Sequence, residues 1–242
     1  MDKSYLCDFS MRPKSCQVQE KTDESLNLPS DFAYLPGVLS PNRAQCYLEA
    51  LLIETVWQQR QTNFFGRKPM PRLMMYFGPV DYNYGRHHWP SHPLPPRLEI
   101  IRDQVEAAAG WPFNAVLINL YRNGGDHISF HSDSIDGHGA QPTIAVLSLG
   151  APRKIHLRRK IGSKKLISLV LEPGSVFLMK GSAQQNWLHK IPKTSRPIGP
   201  RISLTFRWMM DPAASPPPIR LGGERDAHLF PEDFGAELAK AS

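Results

Sequence analysis

Hydrophobic positions change their spacing near residue 110, which divides the chain into a helical part and a strand-rich part. Before this point, apolar side chains recur every three or four residues over 40–58 and again over 95–110. This spacing predicts two amphipathic helices, the second of which ends at Gly110. The segment between them, 64–96, is rich in aromatic, proline and basic residues, and it predicts ribbons and loops.

After Gly110, short runs of β-branched and aromatic residues are separated by turn signals such as Pro173-Gly174. The predicted strands are 114–121, 127–132, 143–149, 153–159, 166–171, 175–180, 186–190 and 201–208. Two helices followed by these short strands predict an α+β, mainly β protein. We expect a double-stranded β-helix (jelly roll) core, with the N-terminal helices buttressing one sheet.

Length and composition indicate one folded unit with loose ends. The chain has 242 residues, of which 41% are hydrophobic and 21% charged, as in a soluble protein with a single core. We predict a flexible N-terminal arm over 1–30, a folded domain over 31–210 and an irregular, proline-rich tail over 211–242. Three cysteines without a CxxC pair argue against a disulfide framework.

The net charge and the absence of long apolar runs narrow the choice of partners. The formal charge is +7, from 29 basic and 22 acidic residues, so nucleic acid is a reasonable partner. No stretch resembles a signal peptide or reaches the roughly 20 apolar residues of a membrane span. We therefore expect a monomeric intracellular protein without membrane contact. In a bacterium it would be cytoplasmic, and in a eukaryote a nuclear location is also compatible with the sequence.

Two histidines and an aspartate form a candidate metal site. His131 and Asp133 lie two residues apart in a predicted strand, and His189 lies in another. Residues i and i+2 of a strand project from the same face, so His131 and Asp133 can reach one ion while a distant strand supplies the third ligand. This ligand set leaves positions open for the substrates of a non-haem Fe(II) oxygenase. It is also compatible with a hydrolytic zinc site.

The run 201–207 is a candidate anion-binding strand because its residues alternate strictly. One face carries Ile202, Leu204 and Phe206, followed by Trp208, and the other carries Arg201, Ser203, Thr205 and Arg207. If the apolar face packs against the helices, the arginines point into the barrel, where a guanidinium needs a bidentate anion such as a dicarboxylate. The alternative is an edge strand with a solvated basic face. Asn119 and Tyr121 likewise share one face of their predicted strand.

Together these motifs resemble those of the AlkB family of alkylation-repair dioxygenases. The similarity is highest to the animal nucleic-acid demethylases of that family over 113–122 and 201–207, and it covers roughly residues 35–208. It implies that 31–210 is an AlkB-like dioxygenase domain. The helices and a nucleotide-recognition segment would then lie within 31–112, and the jelly-roll catalytic core within 113–210.

The resemblance also implies a role for each matching residue. His131 and Asp133 would form the catalytic centre and, with His189, bind Fe(II), which takes O₂ as a further substrate. Arg201, helped by Tyr121, would hold the distal carboxylate of 2-oxoglutarate. The same pocket, around the carboxylate beside the metal, would be lined by Asn119, Thr205 and Arg207.

Aromatic residues before the second helix are candidates for substrate binding. Tyr82 and Tyr84 match the family region whose aromatic ring stacks on a flipped base, and stacking contributes roughly 1–3 kcal/mol per base. We hypothesise that Tyr84 and the ring of His131 enclose the base and that Tyr82 contacts its edge. Phe65 and Arg67 lie where certain relatives carry a finger that wedges into duplex. The alternative is that these aromatic residues are hydrophobic cover or core.

The basic run 153–160, with Lys164 and Lys165 across a turn, is expected to follow phosphates, the alternative being a solvated hairpin. Two positions depart from the family pattern. Ser203 replaces the usual asparagine of the arginine strand. Ile135 stands where relatives that repair DNA carry an acidic residue, and Asp136 follows it. Base preference, and the choice between DNA and RNA, stay open.

The predicted function is oxidative demethylation of N-alkylated bases such as 1-methyladenine and 3-methylcytosine in DNA. Formaldehyde would be released while 2-oxoglutarate is decarboxylated to succinate. The same core is compatible with RNA, protein or small-molecule substrates. A zinc hydrolase and a non-catalytic nucleic-acid-binding module are the alternatives from other classes.

Overall fold

The structure, a computed structural model, describes residues 28–62, 68–84, 87–134, 142–163 and 165–210. The helices are Pro41–Glu54 (α1), Pro96–Ala109 (α2) and Ala183–Asn186 (α3). The strands are Phe32–Leu35 (β1), Gln61–Thr62 (β2), Lys68–Pro69 (β3), Leu73–Phe77 (β4), Tyr82–Tyr84 (β5), His87–Trp89 (β6), Ala115–Tyr121 (β7), Ile128–His131 (β8), Ile144–Gly150 (β9), Arg153–Arg159 (β10), Ile167–Leu171 (β11), Val176–Met179 (β12), Trp187–Ile191 (β13) and Arg201–Arg207 (β14). Among these residues, no helix has the length and apolar character needed to span a membrane.

Two antiparallel sheets form the core of the protein. The six-stranded sheet has the order β1-β12-β9-β14-β7-β4, and the four-stranded sheet has the order β11-β10-β13-β8. The pairs β2–β3 and β5–β6 form separate two-stranded ribbons. This architecture agrees with the predicted jelly roll, and the order places β14 in the interior of the larger sheet, between β9 and β7.

Strand β9 separates two hydrophobic cores. Its residues Ala145, Leu147 and Leu149 pack in a cluster with the apolar sides of α1 and α2. Ile144 and Val146, on the opposite face, pack in a second cluster with residues of the four-stranded sheet. Because alternate residues of a strand point to opposite faces, the helices cover one face of the larger sheet and the smaller sheet covers the other.

Three elements differ from the sequence-based expectation. Strand β4 lies inside the segment 64–96 but joins the six-stranded sheet next to β7. Strand β1 precedes the first predicted helix and pairs with β12. Helix α1 ends at Glu54 rather than near residue 58, because Thr55 has an extended backbone and Val56, which continued the apolar spacing, is 75% exposed. Several predictions concern residues outside the described ranges: most of the N-terminal arm, the tail, and the side chains of Phe65 and Arg67.

Gly150 allows the end of β9 to lie directly beside the start of β14. Its φ angle is +82°, a left-handed conformation that side chains other than glycine rarely adopt. A Cβ atom at this position would collide with the main-chain oxygen of Pro200. Since Arg201 pairs with Gly150, this close approach positions the first arginine of β14.

The basic run contains one residue that is not on the surface. Arg153 is 3% exposed, and its guanidinium donates to the main-chain oxygens of Asp126, Pro192 and Asn123 at 2.8, 2.6 and 3.3 Å. It therefore fastens the turn between β7 and β8 to the chain that follows β13. Arg153 is a structural residue, and the part of the prediction that placed it among phosphate contacts is wrong.

The ion pair between Arg122 and Asp126 holds this turn, which connects the strand of Asn119 to the strand of His131. Asp126 accepts hydrogen bonds from the main-chain N and Nε of Arg122 at 2.9 and 2.8 Å, and from its Nη2 at 3.0 Å. Burial acts to raise the pKa of Asp126, but the hydrogen bonds and charge of Arg122 outweigh it. The result is a pKa below the ordinary 3.8.

We expect Asp126→Asn to lower the free energy of unfolding by roughly 1–3 kcal/mol at pH 7, because charge-assisted hydrogen bonds are removed. The lowered pKa means that the contribution is complete above pH 3.8 and disappears as the pH falls through the folded-state pKa. Urea unfolding between pH 3 and pH 7 measures this. Asp103→Asn, which removes an exposed partner of Arg102, is the control; an equal destabilisation in both variants contradicts the assignment.

Candidate metal and co-substrate site

The three metal-ligand candidates meet on neighbouring strands of the four-stranded sheet. His131 ends β8, Asp133 follows two residues later, and His189 lies directly opposite His131 on β13. Oδ1 of Asp133 is 3.4 Å from Nε2 of His131 and 3.6 Å from Nε2 of His189. Within the described ranges, this is the only group of three or more such side chains whose ligand atoms lie within 4.8 Å of one another.

The surroundings of these side chains favour metal binding. Nδ1 of His131 is 2.9 Å from the main-chain oxygen of Ser129, so a proton shared there leaves Nε2 free for an ion. Burial, together with the nearby His131, lowers the pKa of His189 to about 3. Burial also acts to raise the pKa of Asp133, but Arg207 and the two histidines outweigh it and hold this pKa well below 3.8.

Strand β14 places its polar face toward the site, as its alternation predicts. Ile202, Leu204 and Phe206 pack in the cluster that contains the helices. Arg201, Ser203, Thr205 and Arg207 line the cavity between the sheets, together with Asn119 and Tyr121 of β7 and the metal-ligand candidates. The alternative of an edge strand with a solvated basic face is therefore wrong.

Arg201 has the features of an anion-binding residue. It is 1% exposed, and burial lowers its pKa to about 10. Its Nη2 donates to Oγ of Ser148 at 2.8 Å, and its guanidinium carbon lies 5.3 Å from the ring centre of Tyr121. Nε and Nη1 are buried without a hydrogen-bond partner among the described residues. Because such donors are costly to leave unpaired, they fit a carboxylate that binds in the cavity.

Arg207 joins the arginine strand to the metal site. Its Nη2 donates to Oδ2 of Asp133 at 2.7 Å, which leaves Oδ1 facing the two histidines. Its Nε and Nη1, like those of Arg201, are buried and lack a partner among the described residues. Arg207 therefore contacts the metal ligand directly, and its remaining donors are available to a second carboxylate close to the metal.

Arg72 and Gln184 are among the polar residues of the site that were not predicted from the sequence. Arg72 is 7% exposed, lines the cavity and donates from Nε to Oδ1 of Asn119 at 2.9 Å. Because Arg72 lies two residues before Met74, it would be expected on the inner face if β4 were recognised as a strand. Apolar residues on both faces of β4 hide this strand in the sequence. Gln184 accepts a hydrogen bond from the main-chain N of Asp133 at 2.8 Å. No spacing pattern in the sequence identifies Gln184 as a site residue.

The β5–β6 ribbon and the chain before β4 form one wall of the cavity. Residues Met70, Arg72, Tyr82, His87 and Trp89 line it. Tyr82 is 2% exposed and stacks on Tyr76, with ring centres 5.4 Å apart. The backbone of Tyr84 ends β5, but its side chain, like Ile135 and Asp136, lies outside the described residues.

Comparison with known proteins identifies the family. The family model of the 2OG-Fe(II) oxygenase superfamily matches residues 31–207. The human protein "Alpha-ketoglutarate-dependent dioxygenase alkB homolog 3" is 32% identical over 201 residues, which cover 75% of this chain and 67% of the human protein. This chain belongs to the AlkB family of 2-oxoglutarate–Fe(II) oxygenases. The human "DNA oxidative demethylase ALKBH2" is 34% identical over 150 residues, or 58% of each chain.

A solved structure supports the jelly-roll fold of this AlkB-family chain. The structure titled "The structure of OsALKBH1" superposes with a TM-score of 0.55 at 15% sequence identity, and the alignment covers 74% of this chain and 99% of that one. At this identity the similarity concerns the fold alone. The predicted fold class and family are confirmed, and the chain spans about two thirds of the length of the alkB homolog 3 proteins that it matches.

As a member of this superfamily, the protein is a dioxygenase that uses Fe(II), 2-oxoglutarate and O₂. The residues present fit these groups. Two imidazoles and one carboxylate are the donor set of non-haem iron oxygenases, and the unpartnered guanidinium nitrogens of Arg201 and Arg207 fit an organic diacid. A zinc hydrolase or a non-catalytic binding module does not account for this second feature.

An anion site at Arg201 predicts that Arg201→Met unfolds at a temperature equal to or above that of the wild type when no 2-oxoglutarate is present, because a buried charge without a counter-ion is removed. Added 2-oxoglutarate then no longer stabilises the variant, whereas it stabilises the wild type by about 2.7 kcal/mol at 100 times its Kd. Thermal unfolding with Mn(II), with and without 2-oxoglutarate, measures both effects.

Arg153→Met is the matched control, since Arg153 is similarly buried but its guanidinium binds main-chain oxygens. It is expected to lose stability and to keep the response to 2-oxoglutarate. An Arg201→Met protein that 2-oxoglutarate still stabilises as much as the wild type would show that the anion binds elsewhere.

Proposed function

We propose that this protein oxidatively removes N-linked methyl groups from nucleic-acid bases, such as 1-methyladenine and 3-methylcytosine in DNA, and releases formaldehyde. The strongest support is the His131–Asp133–His189 cluster beside two buried guanidinium groups. The names of the relatives, alkB homolog 3 and DNA oxidative demethylase, support the choice of a methylated base. The same chemistry on RNA is the alternative, and the experiment below distinguishes DNA from RNA substrates.

His131, Asp133 and His189 would hold the metal on the face of β8 and β13 that lines the cavity. When bound, Fe(II), 2-oxoglutarate and O₂ supply the hydroxylation of the methyl carbon, coupled to formation of succinate and CO₂. The hydroxymethyl group then leaves the base nitrogen as formaldehyde. The protein contributes the position of the methyl carbon and the exclusion of water.

The polar faces of β14 and β7 would orient 2-oxoglutarate. Arg201 binds the distal carboxylate, with Tyr121 beside it, and Thr205 lines the path toward the metal. Arg207 holds one oxygen of Asp133 and offers its free donors to the carboxylate nearest the metal. Asn119 is fixed through its carbonyl oxygen by Arg72, so its amide hydrogens are available on the cavity side.

The β5–β6 wall would receive the base. Tyr82 and Trp89 are each 2% exposed and line the cavity, and the guanidinium carbon of Arg60 lies 4.2 Å from the Trp89 ring centre. Aromatic walls suit a planar base taken out of its stack. The roles of Tyr84 as a stacking ring and of Phe65 and Arg67 as a wedge remain part of this proposal.

The outer face of the four-stranded sheet would follow the phosphates that flank the base. Lys154, Arg158 and Lys190 lie on it, because the alternate residues of β10 and β13 face the core. The charged ends of Arg158 and Lys190 are 4.3 and 4.5 Å from the ring centre of Phe130. Among the described residues, no carboxylate pairs with these three cations.

We expect His131→Ala to abolish formaldehyde release while oligonucleotide affinity stays near the wild-type value, because the variant lacks a metal ligand but keeps the basic surface. DNA and RNA oligonucleotides carrying 1-methyladenine or 3-methylcytosine, supplied with Fe(II) and 2-oxoglutarate, test this. His127→Ala is the control, since His127 lies on the turn before β8 and does not line the cavity, and it is expected to keep its turnover. If 2-oxoglutarate is turned over but no oligonucleotide yields formaldehyde, the result contradicts the proposed substrate class.

Replacing Arg158 with Gln is expected to weaken binding of a long single strand and to reduce its salt dependence. The slope of log K against log salt concentration should fall in magnitude by roughly 0.7, the value for one phosphate that is no longer neutralised. Fluorescence anisotropy at several salt concentrations measures it. Arg43→Gln, which removes a cation from α1, is the control; if both variants change the slope equally, the outer face has no special role.

A further inference from the structure

The main-chain amide of Asp133 is bound by a side chain from a different element. It donates to Oε1 of Gln184 at 2.8 Å, and Gln184 is 4% exposed. Strand β8 ends at His131, so residue 133 lies beyond its ladder of hydrogen bonds. Gln184 belongs to α3, the short helix that precedes β13, and therefore connects the loop of one metal ligand to the chain that leads to another, His189.

Gln184 is itself held from two sides. Its Nε2 donates to Sδ of Met179 at 3.3 Å, and its main-chain oxygen accepts from Nζ of Lys160 at 2.8 Å. A primary amide donates through nitrogen and accepts through oxygen. The sulfur on one side and the N–H of Asp133 on the other therefore favour one orientation of the Gln184 side chain.

The hydrogen bond between the Asp133 amide and Gln184 bears on the direction of the Asp133 carboxylate. Arg207 binds Oδ2 at 2.7 Å, while Oδ1 faces the two histidines. Guanidinium groups favour bidentate contact with a carboxylate. A small rotation of Asp133 toward Arg207 would therefore direct both oxygens at the arginine and leave the metal with two ligands. Fixing the main chain at residue 133 opposes that rotation.

We propose that Gln184 is a positioning residue that keeps one carboxylate oxygen of Asp133 directed at the metal. Partners of metal ligands that do not touch the ion still set the orientation of the ligands and the affinity for the metal. The proposal rests on the metal-ligand assignment of His131, Asp133 and His189, and it is independent of which organic substrate the enzyme oxidises.

Co(II) binding to the whole chain, without nucleic acid, tests the proposal. Gln184→Met keeps the length of the side chain but removes the acceptor, and we expect roughly 10- to 100-fold weaker Co(II) binding with an altered visible absorption spectrum. Gln184→Glu keeps an acceptor and is expected to bind Co(II) within a few-fold of the wild type. Gln185→Met, at the next position of α3, is the matched control and is expected to bind Co(II) like the wild type.

Wild-type affinity and spectrum in Gln184→Met would overturn the proposal, as would an equal weakening in Gln184→Glu or Gln185→Met. If Gln184→Met does not fold, Met179→Leu replaces it, because that variant removes the sulfur that orients the amide. Unchanged Co(II) binding in Met179→Leu would then overturn the proposal. Wild-type protein that binds Co(II) but demethylates no oligonucleotide would instead count against the proposed nucleic-acid function alone.

Discussion

The ion pair between Arg207 and Asp133 connects the two sheets at the point where the site is built. Arg207 ends the central strand β14 of the larger sheet, and Asp133 follows the edge strand β8 of the smaller one. Removing one partner from such a buried pair typically costs about 3–5 kcal/mol, because the other charge is left without compensation. This contact therefore ties Asp133, one of the metal-ligand candidates, to the arginine strand.

A strand that carries site residues can be predicted from the sequence when one of its faces is polar. The alternation over 201–207 predicts both the strand and the side on which Arg201 and Arg207 lie, and the structure agrees. Strand β4 lacks this signal, because apolar side chains occupy both of its faces. A strand buried on two sides inside a segment rich in proline and aromatic residues has no period of two to detect.

The residues of the site also differ in whether the sequence predicts them. His131 and Asp133 are found by their spacing, although β8 ends at His131 and Asp133 lies just beyond that strand; its carboxylate still reaches the same site. Arg72 and Gln184 reach the site through the pairing of β4 with β7 and through a single helical turn before β13. Their partners, Asn119 and the Asp133 amide, are 47 and 51 positions away in sequence. Such contacts depend on tertiary register, which no local pattern encodes.

The close approach at Gly150 fixes the position of the main chain where β14 begins. Arg201 begins β14 beside this glycine, and the chain at Pro200 comes so near that not even a methyl group fits between them. The main chain at Arg201 is thereby held by backbone contact, and its guanidinium is held by the hydrogen bond to Ser148. Any side chain at position 150 would therefore displace the first arginine of β14, although Gly150 itself does not line the cavity.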